Sequence, residues 1–171
     1  GAICRLSLDR EGPALLFRRV KGYRFPVLAN MLGTRRRAAL ALETTESELL
    51  RTYLEKTGRG LIEPVLVPTG PCKEVKVGQE ELDLRELVPQ ILSNQDDGGP
   101  FINYGLTVCK DPDTGIRNVG IYRYQIRGKN RTGVWSRQPQ HFAVILSKYE
   151  ERGQPMEVAI AIGADPYLYI A

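Results

Sequence analysis

The residues best equipped for chemistry lie in one run, Ile116-Arg117-Asn118-Val119-Gly120-Ile121-Tyr122-Arg123-Tyr124-Gln125, where an amide, a glycine and a guanidinium sit among bulky apolar side chains. Asn118 offers an acceptor oxygen and two N–H donors. Arg123 offers a planar fork that matches a carboxylate or phosphate through two parallel hydrogen bonds. A strand used only for packing rarely places two such heads beside Val119 and Ile121, so the pair implies something held. In an extended chain side chains alternate, which puts Ile121, Arg123 and Gln125 on one face and Asn118, Gly120 and Tyr122 on the other. Asn118 and Arg123 then share a ligand only across a bulge or sharp bend, and Gly120 is the residue that tolerates one.

The second centre is His141, the single histidine, after Gln138-Pro139-Gln140. One histidine excludes multi-histidine metal sites and leaves a nucleophile triad without support. A lone histidine is commonly a structural hydrogen-bonder; its functional reading rests on the helix expected to start at Pro139, whose first N–H groups favour an anion such as phosphate. The chain has no G-x-G-x-x-G, no Walker loop and no H-E-x-x-H, so nicotinamide, nucleoside-triphosphate and zinc-protease chemistries lack their markers. The adjacent acids Asp96-Asp97 and Glu150-Glu151 read as solvated pairs in a turn and at a helix end.

These residues need elements to position them. Residues 101–109 and 116–127 read as two strands joined by Lys110-Asp111-Pro112-Asp113-Thr114-Gly115, a composition rich in turn chemistry, and so as a long antiparallel hairpin. A second turn at 127–133 leads to a short strand around Val134-Trp135-Ser136, then to the helix from Pro139 to about Glu151 with Gly153 as its stop, then to a strand over 156–162. Upstream, residues 14–20 and 26–32 read as short strands. Thr34 caps a helix through about Leu42, with Arg35, Arg36 and Arg37 in a first turn whose dipole disfavours cations. Thr45-Glu46-Ser47-Glu48 reads as a capping box before a helix that buries Leu49, Leu50, Tyr53 and Leu54 and stops at Gly58. The prolines and glycine of 64–71 read as a linker or an edge crossing between units, with a boundary near Gly70; Leu82, Leu84, Leu87 and Val88 imply a short helical or irregular turn, and Asp96-Asp97-Gly98-Gly99-Pro100 a breaker. Two units result: a small α/β unit over 1–70 and a β-rich unit over 71–171.

A chain of 171 residues that is 42% hydrophobic can bury a core, and a formal charge of +4 favours anionic ligands weakly. A nucleic-acid role would rest on Arg35 to Arg37 and the Lys129/Arg131 turn, but the charge is far below that of dedicated binders, and neither nucleic acid nor membrane is expected as a partner. Three distant cysteines without C-x-x-C spacing imply neither disulfides nor zinc, and point to a reducing cytoplasm. No stretch approaches the roughly 20 apolar residues of a membrane helix. The chain begins without methionine and ends on the apolar Tyr167-Leu168-Tyr169-Ile170-Ala171, read as a strand in want of a partner, so a longer parent protein is expected.

Five blocks, in order, resemble the UbiD family of reversible decarboxylases: Gly12-Pro13-Ala14-Leu15-Leu16-Phe17; Pro26-Val27 through Gly33-Thr34-Arg35; Asp97-Gly98-Gly99-Pro100-Phe101-Ile102; Lys110 through Arg123; and Val158-Ala159-Ile160-Ala161-Ile162-Gly163-Ala164-Asp165-Pro166. The resemblance covers nearly the whole chain. It implies an α+β protein whose second unit is part of a split β-barrel related to flavin reductases. The activity implied is reversible non-oxidative decarboxylation of an aromatic or α,β-unsaturated carboxylic acid, with prenylated FMN, Mn²⁺ or another divalent cation, and K⁺. On matching positions, Asn118 and His141 would hold the metal; Asn118, Ile121, Tyr122, Arg123, Gln140 and His141 would contact cofactor; and Arg123 would also take the substrate carboxylate as the catalytic residue. A flavin prenyltransferase would supply the cofactor, and the full-length protein would be a homo-oligomer. The third metal ligand, a glutamate, and the catalytic acid are expected past Ala171, which leaves these 171 residues inactive alone. Trp135-Ser136-Arg137-Gln138-Pro139 departs from the histidine-rich sequence of many members. The alternative from another class is a non-catalytic flavin- or phosphate-binding module.

Overall fold

The computed structural model describes residues 2–60, 62–92 and 94–170. The chain is mixed α and β with two antiparallel sheets. Helix α1 (Ala2–Asp9) precedes a ribbon of β1 (Leu15–Phe17) and β2 (Val27–Ala29), paired Leu15 to Ala29 and Phe17 to Val27. Helix α2 (Arg35–Ala41) starts where the sequence places it, because Thr34 Oγ1 accepts from Arg37 N at 3.3 Å. Arg35 and Arg36 are exposed and make no ion pair among the described residues, whereas the Arg37 guanidinium turns inward and donates to the Gly12 carbonyl. Ala39 and Leu42 form the buried centre of this half.

Helix α3 (Leu49–Thr57) departs from expectation at its start. Thr45 bonds Ser47 Oγ, and the N-cap, Glu48, has no side-chain cap bond, so the capping box does not form. Its route is set instead by ties to α2: Thr44 and Thr52 hydroxyls meet at 2.9 Å and Lys56 Nζ donates to the Leu42 carbonyl at 3.1 Å. Those ties leave Leu50 and Leu54 64% and 58% exposed, so the expected four-residue buried stripe reduces to the half-buried Leu49 and Tyr53. Among the described residues that follow, mostly exposed coil and a 3₁₀ turn (Pro71–Lys73) lead to α4 (Leu84–Leu87), where Asp83 accepts from Arg85 N.

The second sheet runs β5-β4-β3-β6 and carries the hairpin as read: β3 (Phe101–Lys110) and β4 (Arg117–Ile126), with β5 (Thr132–Val134) and β6 (Val158–Ala161) outside them. The turn closes by the chemistry its residues supply, for Asp111 Oδ1 accepts from Asp113 N and Thr114 N, and Gly115 takes φ +75°. Helix α5 (His141–Glu151) begins after Pro139, with Gln140 as N-cap. It packs Phe142 and Ile145 onto Cys109 and Tyr122. Leu84 and Val88 cover the other end of the same sheet face, against Ile102, Tyr124 and Ile126. Residues 166–169 form a 3₁₀ turn and not a strand, because Asp165 Oδ1 accepts from Tyr167 N at 2.8 Å after a proline-led start; Ala171 lies outside the described residues. The Tyr169 ring stacks on Tyr104 with centroids 4.5 Å apart, which fastens this turn to β3.

Candidate functional site at the junction of β4 and α5

β4 pairs with β3 residue for residue from Lys110 with Arg117 to Gly105 with Tyr122, so alternation holds through the run that matters. Gly120 does not bend the strand. Its missing side chain serves another end: a Cβ there would lie 2.9 Å from Tyr122 Cε2, on the face the two residues share. The Tyr122 ring leans over Gly120 and meets Phe142 at 4.8 Å, centroid to centroid. Phe142 is 2% exposed. This aromatic contact seats the first turn of α5 beside β4.

The result is a depression of about 330 Å³ lined by Asn118, Val119, Tyr122, Pro139, Gln140 and His141. Four of the six residues singled out from sequence thus converge. The Asn118 amide nitrogen reaches inward to Cys109 Sγ at 4.0 Å, a weak contact, which leaves its oxygen as the atom to offer a cation. Burial pushes the Cys109 thiol above its ordinary pKa, with the Asn118 amide acting in the opposite sense, so it is a packing group and not a thiolate ligand. His141 is exposed in the first turn of α5. Gln140 Oε1 accepts from Ser136 Oγ and Arg137 N, both at 3.0 Å, and so fixes the loop leading into the helix. The N-terminus of an eleven-residue helix opens beside this depression with no side-chain cap bond, a setting favourable to an anion. Among the described residues no three His, Cys, Asp or Glu side chains gather as a complete metal site.

Ile121 and Arg123 do not line the depression. Both point to the opposite face, as alternation requires, where Val119 and Ile121 are 53% and 41% exposed. The bulge that sequence reasoning would place near Gly120 lies instead in β3, between Ile102 and Gly105, opposite Arg123. There Arg123 Nε donates to Asn103 Oδ1 at 2.9 Å and Nη2 to Asp97 Oδ2 at 3.2 Å, and the guanidinium carbon sits 4.0 Å from the Phe101 ring centroid. Asp97 is therefore no solvated turn acid: its side chain is 17% exposed and ion-paired. Nothing local marked it, since its partner lies in the next strand but one segment of chain away and the contact needs the β3 bulge.

β5 pairs with β4 only from Tyr124 to Ile126, so on the side away from β3 residues 117–123 have no sheet partner among the described residues. Val119, next to Asn118 in the strand, also lines the depression.

Comparisons with known proteins agree with this architecture. Residues 1–57 match the 3-octaprenyl-4-hydroxybenzoate carboxy-lyase N-terminal domain and residues 65–171 the Rift-related domain of the same carboxy-lyase. An uncharacterized protein of Synechocystis sp. is 35% identical over 99% of the chain, and one of Aquifex aeolicus 37% identical over 94%. Among solved structures, the UbiD-class enzyme HmfF of Pelotomaculum thermopropionicum with FMN superposes with a TM-score of 0.85 at 35% identity over 96% of the chain. An evolved dimeric form of HmfF with prFMN gives the same score and identity. The closed form of Sedimentibacter hydroxybenzoicus vanillic acid decarboxylase gives 0.88 at 28% identity over 98%. The chain spans 37–38% of the length of each of these relatives. With both domain profiles matching in order along it, the chain belongs to the UbiD family of carboxy-lyases.

Proposed function

We propose that these residues carry the phosphate-and-metal end of a prenylated-FMN site, and that the protein they belong to performs reversible non-oxidative decarboxylation of an aromatic or α,β-unsaturated carboxylic acid. The observation that carries the reading is the convergence of Asn118, Tyr122, Gln140 and His141 on one depression at the start of α5. An amide oxygen and an imidazole nitrogen suit Mn²⁺ or a similar divalent cation. Two protein donors suffice in part, because such cations are often held by one or two side chains plus phosphate oxygens, with K⁺ as an accessory cation of the same phosphate-rich site. The open start of α5 suits that phosphate. Prenylated FMN, when bound, supplies the electron sink for breaking the carbon–carbon bond. Tyr122 and Gln140 shape the phosphate end, Ile121 offers an apolar surface, and Arg123 takes the substrate carboxylate on the outer face. Among the described residues β4 has no sheet partner from Asn118 to Arg123 on the side away from β3, which is compatible with one extended ligand touching both faces without a bend in the strand.

In this reading the sheet is part of a split β-barrel, residues 1–70 and 71–171 are separate domains, and the full-length protein is a homo-oligomer served by a flavin prenyltransferase. A reducing, cytoplasmic setting fits the free Cys4, Cys72 and Cys109, and no described helix is long and apolar enough to cross a membrane. The test is full-length protein co-expressed with a flavin prenyltransferase, with flavin read by absorbance and mass and metal by elemental analysis. One divalent cation per bound flavin is expected, reduced at least about tenfold in affinity by His141→Ala or Asn118→Ala. Equal metal and flavin retention in both variants refutes the site. Flavin bound without CO₂ release from any aromatic acid favours the non-catalytic module.

A further inference from the structure

Arg123 is gripped from three sides by residues to which the proposed function gives no part. Asn103, delivered opposite Arg123 by the β3 bulge, accepts from Nε at 2.9 Å; Asp97 accepts from Nη2 at 3.2 Å; and the Phe101 ring centroid lies 4.0 Å from the guanidinium carbon. The Arg123 side chain is still 47% exposed, against 17% for Asp97. So the acid is shielded and the base faces outward, the reverse of a pair whose purpose is to neutralise a buried cation. Exposed ion pairs of this kind contribute little to stability. They do settle where a long side chain points.

We infer that Asp97 is a positioning residue for Arg123: with Asn103 and Phe101 it fixes the guanidinium in one orientation before ligand arrives, so that the remaining N–H groups form a preset receptor for a carboxylate. This deepens the reading above and rests on its assignment of Arg123 to the substrate carboxylate. Three contacts made in advance remove the rotamer freedom an unrestrained arginine loses each time it binds. The backbone next to Asp97 serves the same end: Gly98 O accepts from Gln125 Nε2 at 2.6 Å, tying the Asp97 segment to the β4 residue next on Arg123's face.

The experiment measures equilibrium binding of benzoate and of its uncharged isostere benzamide to the full-length, cofactor-loaded protein by calorimetry. Wild type should prefer benzoate, and Arg123→Gln should abolish the preference. Asp97→Ala should reduce the benzoate-over-benzamide ratio by about tenfold or more, the scale seen when an outer partner of a binding group is removed, while benzamide affinity stays level. Asp97→Asn, which keeps an acceptor for Nη2, should retain the ratio within about threefold. Should Asp97→Ala not fold, Asp97→Ser, too short to reach Nη2, carries the same expectation. No wild-type preference, or one that survives Arg123→Gln, overturns the carboxylate assignment and the inference with it. With that assignment intact, an unchanged or increased ratio in Asp97→Ala overturns the role of Asp97 alone. Equal losses of benzoate and benzamide binding do the same, because they mark a structural residue.

Discussion

The seating of α5 on β4 can be tested through Phe142, which connects the hydrophobic core to the site. Its ring is 2% exposed, meets Tyr122 at 4.8 Å, and follows His141 directly in the chain. Burying a phenylalanine side chain is worth about 2–3 kcal/mol in transfer free energy. Truncation also leaves a cavity beside Cys109 and Ile145, and the sum for Phe142→Ala is about 3–5 kcal/mol. Phe142→Leu, which keeps most of the volume, should cost about 1–1.5 kcal/mol. The ring pair itself adds about 1 kcal/mol, so Tyr122→Leu should be milder in the Phe142→Leu background than in wild type by that amount. Urea denaturation gives all four corners of the cycle. Because the first turn of α5 carries His141, Phe142→Ala should also weaken divalent-metal retention under conditions where the variant is still folded. A cost below about 1 kcal/mol would mean that α5 is not anchored by this ring, and with it the account of how Asn118 and His141 are brought together would fail.

Gly120→Ala sets a methyl carbon 2.9 Å from Tyr122 Cε2, so the ring must shift; the expected cost is about 1–3 kcal/mol, and relief by Tyr122→Ala in a double mutant checks the cause. The hydrogen bond from Lys148 Nζ at 2.6 Å, followed by that from Asp113 N, holds the Asp111 carboxyl below the usual carboxylate range. A lowered folded pKa gives stability that is present above the unfolded value of about 3.9 and lost as pH falls through the folded one. Lys148→Met should therefore flatten the fall in stability below about pH 4, and an acid titration of unchanged slope would contradict the pairing. Cys109 is buried with its thiol pKa raised while Cys72 is exposed, so iodoacetamide should modify Cys72 in the native protein and Cys109 only after unfolding, as read by peptide mass spectrometry.

What was legible in the sequence had local causes. The β3–β4 turn is legible because Asp111 and Gly115 each supply part of its geometry, and the structure shows those parts in use. Thr34 was readable as a cap for the same reason. Thr45 was misleading, since a capping box needs the following chain to turn into a helix at once. Here Glu43 takes φ +56° and the Thr44–Thr52 and Lys56–Leu42 ties choose the path. The terminal Tyr167-Leu168-Tyr169-Ile170 has strand composition, but the Asp165 cap and the Tyr104–Tyr169 stack won. Asp97 is legible in the sequence only as the head of the Asp97–Ile102 block and as one of two adjacent turn acids: its pairing with Arg123 depends on a bulge in β3 that leaves no local trace.

Alternation holds along β4, so Asn118 and Arg123 stand on opposite faces with no bend at Gly120. Opposite faces keep Asn118 and Arg123 apart only in the interior of a sheet, where neighbouring strands close both flanks. Here β5 covers β4 from Tyr124 onward, and the segment from Arg117 to Arg123 keeps one flank clear of sheet partners among the described residues. On the function proposed above, a flat ligand several rings long would lie along this edge, with one end at the start of α5 and the other under the outer face, and would meet the backbone N–H and C=O groups that an edge strand leaves unpaired. A regular strand then serves better than a bent one, because a bend at Gly120 would lift Tyr122 from Phe142 and release α5, and His141 with it. On that reading Gly120 keeps the strand regular, its missing Cβ leaving the room that the Tyr122 ring occupies.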